Sequence, residues 1–340
     1  MSERSHEGEV VARAVRAAFK GFDRVLLAVS GGLDSMALMY AATVLPGEKR
    51  SFRVATFDHS TGPASKRAVE MVRRRAGEFG LDFVSGKAGQ AATTEHEWRV
   101  ARWAFLRSEA AKFRAQIATA HTMDDQVETI FIRILRDAGP RGLAALFAES
   151  EVIRPFLSVH RSDIVAYGAK HAVEYIEDPS NAQRAHLRNR VRHDLLPAIS
   201  RIRPGFPAQL LSIARRSAEW RAQMSDIADH VEGIHGEDGS LHIARVALHG
   251  YDAESLRALW PSIAARANVV MDRRGTHRLA EFTMKGVTGG SIQLSGGVEV
   301  LMFRDHLLLR RWDWRRVQAT RASRLGTPVT GPESSLEGRE

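Results

Sequence analysis

Ser30-Gly31-Gly32-Leu33-Asp34-Ser35 follows directly on the apolar run Val25–Val29. No other feature constrains the fold of the chain so strongly. The order predicts a strand running into a glycine turn and then a helix that starts near Asp34, with Met36, Ala37, Leu38 and Met39 behind it. Paired glycines let a backbone take positive φ and approach a ligand with no Cβ between. A turn leading into a helix start aims several N–H groups at one point, which suits an anion. A Walker loop would need Gly-x-x-x-x-Gly-Lys-Ser/Thr and a dinucleotide fold Gly-x-Gly-x-x-Gly; neither is present here. On these six residues alone, an ordinary tight strand–turn–helix remains the bland alternative.

The rest of the first half alternates in the same way. Glu9–Phe19 puts Val11, Ala14, Val15 and Ala18 on one helical face. Strands are expected at Val25–Val29, Arg53–Phe57, Leu81–Val84 and Gln116–Ala120, with helices at Met36–Leu45, Ser65–Phe79 and Trp98–Phe113 between them. Such βαβ units make a mostly parallel sheet that binds ligands at the carboxyl ends of its strands. The glycine turn, Asp58-His59 and His121 all fall at such ends. If a helix begins near Met123, then Val127, Ile130, Phe131 and Ile134 form its buried stripe. Asp125 and Glu128 lie off that stripe, one turn apart and free to face a crevice. First-turn acids also suit a helix dipole without any chemical role.

The composition, with 44% hydrophobic and 26% charged residues in 340, is that of a globular protein large enough for two domains. No stretch of about 18 apolar residues is present, so no membrane association is expected. The polar start Met1–Glu7 lacks the apolar core of a signal peptide, and a cytoplasmic location is the simplest expectation. With no cysteine, disulfides, thiolate metal sites and persulfide or iron–sulfur chemistry on this chain are excluded. A formal net charge of +9 fits a polyanionic partner such as nucleic acid.

The Ser-Gly-Gly-x-Asp-Ser turn resembles that of the N-type ATP pyrophosphatases, the PP-loop superfamily. Ala120-His121-x-x-Asp124-Asp125-Gln126-x-Glu128-Thr129, with Arg133–Arg136 and Gly142-Leu143, is similar to the signature of the bacterial tRNA(Ile)-lysidine synthetases within it. Glu95–Leu106, Ile153–Leu157, and Asp178–Asn181 with Arg188–Arg192 and Leu195–Pro197 resemble further segments of that family, in the same order.

The resemblance implies a Rossmann-like parallel sheet of PP-loop ATP-pyrophosphatase type, with a helical linker and a small C-terminal α/β domain. It implies an ATP-dependent C–N ligase that joins L-lysine to C2 of the wobble cytidine of tRNA(Ile) with a CAU anticodon. Codon reading would change from AUG to AUA and identity from Met to Ile. The cytidine C2 oxygen would attack the α-phosphorus, pyrophosphate would leave into the Ser30–Ser35 cradle, and the lysine ε-amine would displace AMP. Ser30, Gly31, Gly32, Leu33, Asp34, Ser35 and Asp58 are expected to bind ATP, and Asp34 to hold Mg²⁺. Arg102 and His121 are expected near the phosphate or the cytosine, and Asp125 and Glu128 at the lysine. Arg188 and Arg190 are expected to bind either the amino-acid carboxylate or the tRNA backbone. A homodimer is a permitted assembly. Competing readings are a tRNA thiolase, disfavoured by the lack of cysteine, an amide-forming NAD or GMP synthetase, and a tRNA-binding paralogue without catalysis.

Departures from the family pattern are Ser60-Thr61-Gly62 after His59, Trp103 in place of a tyrosine, and Arg136-Asp137-Ala138-Gly139, which requires a different helix cap. Trp103 reads as a core ring or as a stacking platform. Arg203–Pro207 is the expected boundary between a catalytic domain over residues 1–204 and a tRNA-binding region over 205–319. In that second region a long helix is expected from Ala208 to about Ile234, and a second at Tyr251–Arg266, broken or kinked at Pro261. Arg273–His277 opens the segment Arg278–Met284, and Ser291–Leu294 and Val298–Phe303 should form a hairpin beside which His306–Arg311 pairs. Arg310–Arg316 suits phosphate contact and stacking or simply closes the sheet, and 320–340 is expected to be a disordered tail.

Overall fold

Val25 and Leu27 of the first strand point into one apolar cluster and Leu26 into another. A strand buried on both faces reads as a continuous apolar run and belongs at the centre of a parallel sheet. The computed structural model describes residues 3–45, 50–59, 62–88, 94–177 and 186–311. It divides into two compact units, Met1–Trp220 and Arg221–Glu340.

The first unit begins with α1 (Glu3–Phe19), β1 (Arg24–Ala28), α2 (Leu33–Thr43), β2 (Ser51–Asp58), α3 (Pro63–Glu78), β3 (Asp82–Lys87), α4 (Glu95–Phe113), β4 (Gln116–Ala118) and α5 (Met123–Leu135). It continues with α6 (Pro140–Leu143), β5 (Val152–Ile153) and α7 (Arg161–Lys170). Then α8 (Leu187–Arg190) runs through a π-wound turn, Val191–Leu195, into α9 (Leu196–Ile202). The sheet order is β3-β2-β1-β4-β5, parallel throughout. One cluster joins Val25 and Leu27 to Val11, Val15 and Phe19 of α1, Met36 to Met39 of α2 and Ile164 of α7. On the other face Leu26, Ala55 and Ile117 pack with Leu106 and Ala110 of α4.

Every strand and helix expected up to α5 is present, and α2 starts at Leu33. Strand β5 is not among the expected strands; two residues carry too little pattern to declare one. The cap at the end of α5 is a left-handed Asp137 (φ 53°). Its N–H donates to Ile134 and that of Ala138 to the Arg133 carbonyl at 2.9 Å, a Schellman closure without glycine.

α10 (Phe206–Asp229) starts in the Arg203–Pro207 turn. Its residues Leu210, Leu211 and Ala214 pack with Val127, Ile130 and Phe131 of α5. The second unit holds β6 (Gly233–His235), β7 (Leu241–Ala244), α11 (Ala253–Ala265), α12 (Arg273–Lys285), β8 (Ser291–Leu294), β9 (Val298–Met302) and β10 (His306–Arg311). The strands form an antiparallel sheet in the order β6-β7-β10-β9-β8. Alternate residues Leu241, Ile243, Val300, Leu307 and Leu309 are buried against Leu259, Trp260 and Ile263 of α11 and Leu279 of α12. Two expectations are corrected here. The long helix stops at Asp229, and Gly233–Ile234 belong to a strand, because a Cβ at Gly233 would stand 2.8 Å from Ile243 of the neighbouring strand. α11 is not broken at Pro261 but continues through it. Ser60, Thr61, Asp178–Asn181, Trp312–Arg316 and the tail 320–340 lie outside the described residues.

Gly86 of β3 faces α4, where an added Cβ would stand 2.6 Å from the Phe105 ring. Gly86→Ala should therefore lower unfolding free energy by about 1–3 kcal/mol in denaturant titration, the usual cost of overpacking.

Candidate active site

Strand order reverses between β1 and β4, whose chains leave the sheet in opposite directions and open a crevice outside their carboxyl ends. A cavity of about 1140 Å³ lies there. Its lining includes Ser30, Gly32, Leu33, Asp34 and Ser35 after β1, and His121 and Asp125 after β4. Arg102 and Trp103 come from α4, Arg161 from α7 and Arg192 from the π-wound turn.

The turn after β1 is tied to itself. The Ser35 hydroxyl accepts the Ser30 N–H at 3.1 Å and donates to the Gly32 carbonyl at 2.9 Å, while the Ser30 hydroxyl lies 3.2 Å from Ser35 Oγ. The two glycines serve different ends. Gly31 has φ +91°, and a Cβ there would stand 3.0 Å from Ala68 Cβ, so conformation and packing both require glycine. Gly32 has an ordinary φ of −78° at the helix N-cap, and a Cβ there would meet only Ser30 Oγ at 3.8 Å. What glycine provides at Gly32 is open backbone facing the cavity. The Gly31 carbonyl accepts the Ile176 N–H at 2.9 Å, and Gly168 of α7 leaves room for Leu33.

Asp34 sits in the first turn of α2 with Oδ2 3.4 Å from Arg161 Nη1. Its Oδ1 is buried and has no hydrogen-bond partner among the described residues. Burial pushes its carboxyl above the usual range, Arg161 pulls against that shift, and Asp125 adds to it. Among the described residues no group of three or more His, Cys, Asp or Glu side chains could hold a metal. Any cation at Asp34 would have to draw its other ligands from a bound molecule, as Mg²⁺ commonly does from phosphates.

Asp125 closes a capping box at the start of α5. Its Oδ2 accepts the Thr122 N–H at 2.9 Å, and its own N–H donates to Thr122 Oγ1 at 3.2 Å. Burial alone would raise its pKa, but the Thr122 N–H and the guanidinium of Arg188 hold it below the ordinary carboxylate range. The expectation that Glu128 faces the crevice is corrected. Glu128 is 3% exposed, is not part of the cavity lining, and is gripped by two arginines. Arg188 Nε donates to it at 3.0 Å, and Arg192 donates from Nε and, at 3.0 Å, from Nη2. The same Arg192 Nη2 donates to Asp125 Oδ1 at 3.0 Å. A buried carboxylate costs several kcal/mol unless paired and hydrogen-bonded, and here two guanidiniums satisfy it.

His121 Nδ1 lies 2.8 Å from Thr119 Oγ1. Burial lowers its pKa to about 4 against the pull of Asp125, so the ring is neutral at pH 7. Arg102 lines the cavity with no hydrogen bond or ion pair to another described residue. Burial and the nearby Arg99 both disfavour its charge, yet a guanidinium keeps its proton in proteins. It therefore calls for an anion. Trp103 packs with the α4 cluster, as a core ring does, and also lines the cavity.

The structure thus brings the Ser30–Ser35 turn, Arg102, His121 and Asp125 around one space, with Glu128 and Arg188 just behind. It does not bring Arg190 there; that residue is exposed and absent from the lining. Asp58 ends β2 and accepts the Ser65 hydroxyl, while its neighbours Phe57 and His59 line the cavity. Arg161 and Arg192 are site residues beyond those expected, Arg192 standing in the Arg188–Arg192 segment without an expected role. Arg192 could have been found, since it follows Arg188 by one helical turn; nothing local marks Arg161.

Residues 7–199 match the model of the PP-loop domain family. The tRNA(Ile)-lysidine synthase of Geobacter sulfurreducens is 36% identical over 225 residues, covering 62% of this chain and 47% of that protein. Those of Solibacter usitatus and Thermotoga maritima are 31% and 35% identical, covering 79% and 54% of this chain and 60% and 46% of theirs. The chain thus spans about half the length of the curated relatives it matches. A tRNA thiolase from Methanococcus maripaludis, solved with its iron–sulfur cluster, superimposes with a TM-score of 0.52 at 14% identity, covering 67% of this chain and 82% of that one. At that identity the likeness concerns the fold.

Because the native ring is neutral where an unfolded one would gain a proton near pH 6.5, His121 favours folding above that pH. This contribution is lost as pH falls from about 6.5 toward 4. NMR should find the His121 ring signals at their neutral positions down to pH 5; a midpoint near 6.5 would contradict the burial described.

Proposed function

The chain belongs to the PP-loop family, whose members use ATP, and from that premise we propose that it is a tRNA(Ile)-lysidine synthetase. It would join L-lysine to C2 of the wobble cytidine in an isoleucine tRNA with ATP as activator. The observation that carries this reading is the convergence of the Ser30–Ser35 turn, Arg102, which has no ion-pair partner among the described residues, and the carboxylate Asp125 on one cavity. The likeness of the chain to lysidine synthases supports it.

In this reading the backbone at Gly32 and the start of α2 bind the two outer phosphates, whose charge the helix N-terminus favours. Arg102 grips the α-phosphate as the cytidine oxygen attacks it and pyrophosphate departs. The activation is needed because a ring carbonyl oxygen leaves poorly, whereas AMP leaves well. Asp125 holds the incoming lysine amine and takes its proton as the amine displaces AMP. Glu128 contributes by fixing Arg188 and Arg192 beside Asp125. The neutral His121 ring offers one donor and one acceptor without adding charge. Asp34 Oδ1, buried and without a hydrogen-bond partner among the described residues, fits a Mg²⁺ ligand, and the cation would offset charge on the departing pyrophosphate. The formal charge of +9 suits a tRNA partner. A cytoplasmic location and a homodimer are consistent with this reading. Among the described residues no helix is long and apolar enough to cross a membrane.

Incubation with ATP, L-lysine and an isoleucine tRNA transcript bearing a CAU anticodon should yield lysidine by mass spectrometry of the digested nucleosides. Asp34→Asn, Arg102→Ala and Asp125→Asn should each lower the rate by on the order of 10²-fold or more. A wild-type protein that leaves cytidine unmodified would overturn the proposal.

Glu128→Gln should lower both the rate and the unfolding free energy, the latter by about 1–3 kcal/mol, since two partly buried guanidiniums lose their counter-charge. Unchanged stability in denaturant titration would show that the arginine grip contributes little.

A further inference from the structure

Arg161 joins three elements that meet at the crevice. It is the first residue of α7, its backbone N–H donates to Asp124 Oδ2 of α5 at 2.8 Å, and its guanidinium reaches Asp34 of α2 at 3.4 Å. The same helix α7 packs against Leu33 of the glycine turn through Gly168. Arg161 is thus carried on an element whose position is locked to the turn. Its guanidinium stands at Asp34 Oδ2, while Oδ1 of the same carboxylate is left buried without a hydrogen-bond partner among the described residues. A carboxylate with one oxygen on a fixed cation and the other unused is already half neutralised, and a second cation beside it would meet a like charge at close range.

We propose that Arg161 is the resident counter-cation of Asp34, so that a divalent ion joins Asp34 tightly only together with a triphosphate. This rests on the reading of Asp34 as the Mg²⁺ ligand. An incoming triphosphate supplies the negative charge that Arg161 and the metal can share. The guanidinium can then turn from the carboxylate to a phosphate oxygen, which its planar fork suits, and both Asp34 oxygens become available. Metal uptake without nucleotide is thereby discouraged, and the acid is kept in place until substrate arrives. Arg161 acts here as a positioning residue.

Binding of Mn²⁺ alone to the full chain, followed by the loss of the free-ion signal in electron paramagnetic resonance, tests this directly. Arg161→Ala should bind Mn²⁺ at least about tenfold more tightly than wild type, because a competing like charge is gone. Arg161→Lys, which keeps the charge, should stay within about threefold of wild type. Adding Asp34→Asn to Arg161→Ala should abolish the gain, which a merely structural effect of the arginine would not produce. If Arg161→Ala binds Mn²⁺ no better than wild type, or if the gain survives Asp34→Asn, the inference is overturned. Repeating the titration with a non-hydrolysable ATP analogue separates the two levels. If no Mn²⁺ binds to wild type even then, the reading of Asp34 as metal ligand has failed, and the inference with it. If Mn²⁺ binds there but Arg161→Ala shows no gain in its absence, only the inference has failed.

Discussion

A parallel sheet whose strand order turns back at β1 and β4 forces two loops apart, and the rest of the molecule's chemistry depends on that parting. The loop after β1 supplies backbone N–H groups and Asp34. The loop after β4 supplies His121 and the first turn of α5. Neither loop could assemble the site alone. The central position of β1, buried on both faces, fixes the first loop, and the Thr122–Asp125 capping box fixes the second.

Charge is the second constraint. Asp34, Asp125 and Glu128 come from helix starts and a buried helix face, and each is met by an arginine contributed from beyond α6. Asp34 takes Arg161, while Arg192 bridges Asp125 and Glu128 with Arg188 alongside. At Asp125 the effect of burial is outweighed by the Thr122 N–H and the neighbouring arginines, whereas at Asp34 burial prevails over Arg161. The pairing leaves Arg102 as the cation in the cavity without a partner among the described residues. Each of the three acids has a guanidinium within ion-pair distance in the structure.

Much of this was legible in the residues. The alternation of apolar runs with helical periods specified the β1 to α5 order, because even three-residue β4 lies in a longer apolar run between two clear helical periods. Gly31 and Gly32 marked the turn after β1, though of the two only Gly31 takes a positive φ. Short strands were not legible: β5 and β6 have two and three residues, and their pairing rather than their pattern makes them strands. Nor was the fate of Glu128. Its helical spacing matched an exposed carboxylate as well as a buried one, and the choice was made by arginines 60 and 64 residues away. Arg161 meets Asp34 across 127 residues, a separation that no local period can reveal. Composition was informative in one respect: the absence of cysteine separates this chain from cluster-dependent chemistry on the same fold.

The central claim is that the Ser30–Ser35 turn receives pyrophosphate while adenylate passes to the nucleic-acid base. Phosphorus NMR of a reaction containing ATP, L-lysine and the tRNA reads this most directly. The account predicts AMP and pyrophosphate in equal amounts, formed only when all three substrates are present. Formation of ADP and inorganic phosphate instead would contradict it.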